Sequence, residues 1–143
     1  MTDAAPPSTT WPHRARIRVR YHECDMQKVV FNAHYLTYCD EAMSSWLAHA
    51  FGWNGDDDQF DWMLVRIELD WQGSATFGDT IEIDVGVEGF GRTSFVTRFR
   101  GTVADRDVFA ARITYVCVRP GGTEKMPVPD EVRSGLALAP VEP

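Results

Sequence analysis

The chain contains no apolar run approaching the roughly 20 residues that a membrane-spanning helix requires, so insertion into a bilayer through a helix is not expected. Cysteine is scarce. Cys24, Cys39 and Cys117 are odd in number and far apart, which fits neither a disulfide framework nor a zinc ligand set and points to a reducing compartment. Lysine is almost missing: only Lys28 and Lys125 accompany the arginines that supply the other 12 of 14 basic residues. A net charge of −7 disfavours a general nucleic-acid binder, which needs clustered cationic surface, while the alternating Arg14, Arg16, Arg18 and Arg20 leave room for a local anion site. The first thirteen residues, M-T-D-A-A-P-P-S-T-T-W-P-H, have no apolar core and no cleavage pattern, so no signal peptide is expected there and a cytoplasmic location is the default.

What is present is an ordinary globular composition, 44% hydrophobic and 12% aromatic over 143 residues, enough for one domain with a real core. Residues 1–13 are rich in Pro, Ser and Thr and are expected to be a flexible tail, with a single domain over 14–135 and a second tail over 136–143. Ile17, Val19 and Tyr21 alternate with Arg16, Arg18 and Arg20, the period of a half-buried strand. From about Asn32 to Phe51 the apolar residues recur with helical spacing, and Gly52 is placed to end that helix. Trp53–Gln59, with three aspartates, reads as a solvated loop.

Period two then returns and stays. Met63, Val65, Ile67, Leu69 and Trp71 share one face of a strand opposite Arg66, Glu68 and Asp70. Ile81–Val87 forms another, followed by turns at Gly89–Gly91 and Asp105–Asp107 and a last strand over Val108–Val118. The expected fold is α+β: antiparallel strands joined largely by hairpins, their apolar face covered by the one long helix.

The densest stretch is Tyr21 to Tyr35, Y-H-E-C-D-M-Q-K-V-V-F-N-A-H-Y. A strand ends, Asp25 stands in a short loop, and the helix begins seven residues later. A carboxylate in front of a helix N-terminus sets a base beside unpaired backbone N–H groups. That arrangement suits attack of water on an activated carbonyl whose oxygen becomes negative. An aspartate in such a loop also caps turns, and both uses stand at this point.

The motif D-x-x-x-V-V-F-N-A-H-Y-L-x-Y, Asp25 to Tyr38, followed by Asp40-Glu41, resembles the 4-hydroxybenzoyl-CoA thioesterase family of the hot-dog fold. T-F-G-D-T-I-E-I-D-V (Thr76–Val85) and G-R-T-S-F (Gly91–Phe95) stand at family-like positions, and the resemblance runs from about Arg16 to Arg133. It implies a five-stranded antiparallel sheet wrapped around the helix, and a homodimer or homotetramer binding acyl-CoA where subunits meet. It implies thioester hydrolysis with no metal and no cofactor beyond the CoA of the substrate. Asp25 then becomes the catalytic carboxylate, as general base or nucleophile, and the amides of Asn32 and Ala33 the oxyanion site. A thiolate is a good enough leaving group for so small a machinery.

Tyr21 stands where relatives place a catalytic tyrosine, while the strand alternation equally puts it in the core beside Val19. Some relatives have histidine at the Asn32 position; here His34 follows two residues on and faces either the site or the surface. Asn32 is also a good N-cap, so its side chain has the alternative of closing the helix end. Lys28 replaces the family's usual glycine, which requires either a changed backbone or accepted strain, and it sets a cation near Asp25 for an anionic part of the substrate. That departure keeps open a non-catalytic hot-dog protein that binds acyl-CoA or an acyl carrier. Arg92, with Thr93 and Ser94, matches the family's CoA-binding turn, where a guanidinium pairs with phosphate; a solvated hairpin arginine is the alternative. Trp46, Trp53 and Trp62 either line an acyl pocket or fill the core.

Overall fold

The computed structural model describes residues 2–5, 11–53 and 60–140. Its elements are β1 (Thr2–Ala5), β2 (His13–Arg18), a 3₁₀ turn (Tyr21–Glu23), α1 (His34–Phe51), β3 (Asp61–Trp71), β4 (Thr80–Phe90), β5 (Ser94–Val103), β6 (Arg106–Val118) and the short α2 (Asp130–Gly135). All strand pairs are antiparallel, in the order β1-β2-β4-β5-β6-β3. The five expected strands are therefore joined by a sixth.

Helix α1 forms because Tyr35, Tyr38, Cys39, Ala42, Met43, Trp46 and Leu47 make one apolar stripe, all buried. It stops at Gly52, whose φ of 69° is the left-handed conformation glycine takes without steric cost, and whose N–H closes the last turn on the Ala48 carbonyl at 2.8 Å. The stripe packs on the inner sheet face, where Ile81, Ile83, Val85, Phe95, Phe99, Ile113 and Tyr115 are buried. The outer face carries charge in cross-strand register. Arg14, Asp84 and Arg100 lie side by side on β2, β4 and β5, and the Asp84 carboxylate, 1% exposed, is held by both arginines at 2.8 Å.

Three sequence expectations change. Thr2–Ala5 pair with Arg14–Ile17, and Trp11 and His13 are buried, so the described parts of residues 1–13 are built into the sheet. Trp11 lies against the Arg98 and Arg100 guanidinium groups, and His13 stacks on Trp46. Residues 136–140 are also no tail. Leu136 is buried, Ala137–Ala139 bond to Val87, and Ala139 packs so closely on Gly86 that a Cβ there would fall 2.6 Å from its Cα. In both segments a few apolar contacts outweigh a polar composition. Finally, β3 is an edge strand, so its apolar row is not wholly in the core: Met63, Leu64, Val65 and Trp71 are exposed. Most of the expected Trp53–Gln59 loop lies outside the described residues.

Candidate active site

Residues 24–30 form a tight hairpin. Cys24 bridges Val30, the Asp25 N–H donates to the Val29 carbonyl at 2.9 Å, and the Lys28 N–H donates to the Asp25 carbonyl at 3.0 Å. A turn followed by one left-handed residue is a standard three-residue hairpin loop, and the left-handed position favours glycine. Here Lys28 takes it, with φ 67°. The lysine thus keeps the backbone that glycine would adopt and accepts strain of about 1 kcal/mol or more. Its side chain is exposed.

Asp25 is partly buried, and its Oδ1 accepts the Gln27 N–H at 2.8 Å. The aspartate therefore does cap the turn, but with one oxygen; Oδ2 has no partner among the described residues. The hairpin is fixed to the rest of the fold by Phe31 N–H to the Glu23 carbonyl and by Val30 N–H to the Ala75 carbonyl. Glu23 is buried. Burial pushes its carboxyl pKa up, but the Arg20 guanidinium and N–H, each 2.8 Å away, outweigh this and hold it below the usual range.

The helix mouth follows directly. Helix α1 has Ala33 at its N-cap, no side-chain cap and no acid in its first turn. Asn32 does not cap it; its carbonyl instead accepts the Trp71 indole N–H at 3.2 Å. The amides of Asn32 and Ala33 bond to no group among the described residues, and both residues are exposed. An uncapped, uncompensated helix N-terminus is an electropositive site for a developing oxyanion.

Tyr21 is not in the core. The strand stops at Arg18 and the 3₁₀ turn swings the ring out, leaving it 82% exposed and edge-on to Phe77. His34 is half-buried at the first helical position, with its ring 5.9 Å from Phe31. Arg92, Thr93 and Ser94 are not beside Asp25. The Asp25 hairpin packs on the Ala75–Asp79 turn where β4 begins, whereas Arg92 lies beyond the far end of β4, about 33 Å along an 11-residue strand. The Arg92 main chain is tied there, its carbonyl accepting the Val128 N–H at 2.9 Å.

A hollow of about 410 Å³ opens between α1 and the β3 edge, lined by Asp40, Ser44, Trp53, Asp61, Trp62, Leu64 and Tyr115. Trp53 and Trp62 lie 5.0 Å apart by ring centroid, while Trp46 goes to the core under His13. The Tyr115 hydroxyl and the Trp53 indole N–H are buried without a partner among the described residues. Burial, then the charge of Glu41, raises the Asp40 carboxyl pKa. The sequence showed Asp40 only as part of the motif and gave Tyr115 no role, because the pairing of helix and strand that encloses them is a long-range event. Thr76 and Trp71 were likewise missed: each reaches the Asp25–Asn32 segment from tens of residues away.

An antiparallel sheet wrapped on one long helix is the hot-dog fold. Residues 19–136 match the model of the thioesterase-like superfamily, and the chain belongs to that superfamily, a class of thioester hydrolases. The chain is 28% identical over 118 residues to a 1,4-dihydroxy-2-naphthoyl-CoA hydrolase of Microcystis aeruginosa, covering 80% of this chain and 85% of that one. A thioesterase-superfamily protein from Jannaschia sp. superposes with a TM-score of 0.82 at 21% identity, over 92% of this chain and 94% of that one. A 1,4-dihydroxy-2-naphthoyl-CoA thioesterase from Synechocystis gives 0.77 at 20% identity, over 88% and 94%. No helix among the described residues is long and apolar enough to cross a membrane.

Proposed function

We propose that this protein hydrolyses an aromatic acyl-CoA to the free acid and CoA. The observation that supports this reading is the partly buried Asp25, one oxygen tied to the Gln27 N–H, in a hairpin that leads directly into a helix whose Asn32 and Ala33 amides are open. Water activated by Asp25, or Asp25 itself, attacks the thioester carbon. The carbonyl oxygen gains charge against the Asn32 and Ala33 amides, and the CoA thiolate leaves without a strong acid. Exposed Tyr21 is placed to orient water or carboxylate, and Lys28 and His34 flank the entrance. No metal or redox group enters these steps.

The reading includes a dimer. Edge strand β3, 11 residues long and paired with β6 on one side, leaves its other edge open beside exposed Met63, Leu64 and Val65, a surface that invites pairing with a second copy. Antiparallel β3–β3 pairing about a two-fold axis sets the Asp61 end of one strand against the Trp71 end of the other. The Arg92 turn lies near the Asp61 end, since Ser94 pairs with Val116 and Asp61 with Val118. The pairing therefore carries the partner's Arg92, with Thr93 and Ser94, toward Asp25, where a guanidinium can receive CoA phosphate. The indole-lined hollow, with Asp40, Ser44 and Tyr115, suits a planar acyl group bearing a hydroxyl, and the Microcystis relative is named for such a substrate.

Incubation with a panel of aromatic and aliphatic acyl-CoAs and a thiol reagent tests the proposal. Release of CoA fastest from hydroxylated aromatic thioesters is expected. Saturable binding without thiol release would establish a binding protein instead, the outcome that the strained Lys28 loop would then explain.

A further inference from the structure

We infer that Thr76 is a positioning residue for Asp25 and acts through the left-handed Lys28 peptide. The inference rests on the reading of Asp25 as the reacting carboxylate. The three-residue hairpin orients that carboxylate only while Lys28 keeps φ at 67°, because both ends of the loop close through it: Lys28 N–H to the Asp25 carbonyl, then Asp25 N–H to the Val29 carbonyl. Relaxation of Lys28 toward an ordinary φ opens that turn and releases the Gln27 N–H that holds Oδ1. The Thr76 hydroxyl donates to the Lys28 carbonyl at 2.7 Å and pins the strained peptide from outside. Among the described residues it is the side chain that reaches this peptide.

Thr76 is itself anchored. Its N–H donates to Asp79 Oδ2 at 2.9 Å, its carbonyl accepts the Asp79 N–H at 3.0 Å, and the neighbouring Ala75 carbonyl holds Val30. One hydrogen bond and one non-glycine left-handed residue are effects of the same order, so the clamp is sized to offset the strain. It follows that Thr76 matters because residue 28 is not glycine. Lysine at 28 and threonine at 76 form a compensating pair, 48 residues apart.

A double-mutant cycle on the full chain tests this, read both as steady-state hydrolysis and as thermal unfolding. Thr76→Val is expected to lower kcat about tenfold with KM within twofold, and Thr76→Ser, which keeps the hydroxyl, to restore most of the rate. In the Lys28→Gly background Thr76→Val is expected to cost less than threefold in kcat and to shift Tm by less than half of its shift in the wild-type background. Equal losses in both backgrounds, or unchanged kcat in Thr76→Val, overturn the inference. The stability cycle also tests the clamp if no thioester is hydrolysed. A coupling in Tm without hydrolysis sinks the catalytic reading and with it the positioning role, while hydrolysis without coupling sinks the Thr76 inference alone.

Discussion

The two ends of the sheet are built differently. At the end where β3 runs into β4, a strained hairpin, an uncapped helix and exposed rings of Tyr21, Phe77 and Trp71 leave polar chemistry open. At the other end, the turn from β4 to β5 is tied down: the Arg133 guanidinium bonds to the Gly91 carbonyl and sits over Phe90, and Thr93 accepts from the Cys117 N–H. In the proposed reading the first end carries the reaction and the second, its main chain tied down, presents Arg92 to the substrate. A single chain keeps these about 33 Å apart, and the proposed pairing of two copies along β3 would join them.

Among the tests of this comparison between the two ends, the largest effect is expected from breaking that pairing. Val65→Asp puts a charge on the exposed apolar stretch of β3, and is expected to yield a folded monomer with hydrolysis reduced at least about 100-fold, read by light scattering and assay. A monomeric variant of full activity would confine the whole site to one chain. A sharper comparison comes from mixing two crippled chains. Asp25→Asn and Arg92→Ala protomers, unfolded and reassembled together, give mixed pairs in which one of two sites has both native residues, so about a quarter of wild-type activity at low substrate returns. No recovery would mean that Arg92 serves its own Asp25 or neither. Alone, Arg92→Ala is expected to raise KM about tenfold and leave kcat within twofold, because phosphate binding is the same in ground and transition states.

The smallest effect lies away from both ends. His13 is buried against Trp46, its Nε2 3.1 Å from the Ser45 hydroxyl, and desolvation followed by the nearby His49 lowers its pKa to about 4. The unfolded chain binds a proton near the ordinary pKa of about 6.5, so between pH 6.5 and 4 it holds more protons than the folded one. Stability therefore falls as pH drops through that window, by at most about 3 kcal/mol, and levels off below it. Thermal melts should flatten over this range in His13→Phe. Glu23, whose pKa is also lowered, shifts stability in the same direction, its contribution being lost as pH falls through the carboxylate range.

The helix and the inner strands were legible because burial of one face imposes its period on the sequence, and Gly52 marked its stop. The Asp25 hairpin was legible as a motif, down to the question that Lys28 poses. Tyr21 was legible in part: its place before Asp25 suggested an open site, while alternation equally carried it inward along three residues of strand, 19–21, that the chain does not make. Trp11 and Leu136 were lost in polar, proline-rich surroundings, and a long-range contact alone reveals that they are covered. Thr76 was quoted as part of a segment, yet its hydroxyl acquires meaning only when the β3–β4 connection folds back on residue 28.

Single-turnover hydrolysis by purified Asp25→Asn, with acyl-CoA binding measured on the same sample, bears most directly on whether Asp25 does the chemistry. Substitution by the uncharged amide should leave binding within a few-fold and slow thioester cleavage by about 10²–10⁴. Cleavage near the wild-type rate, from a variant that binds normally, would remove Asp25 from the reaction and contradict the account.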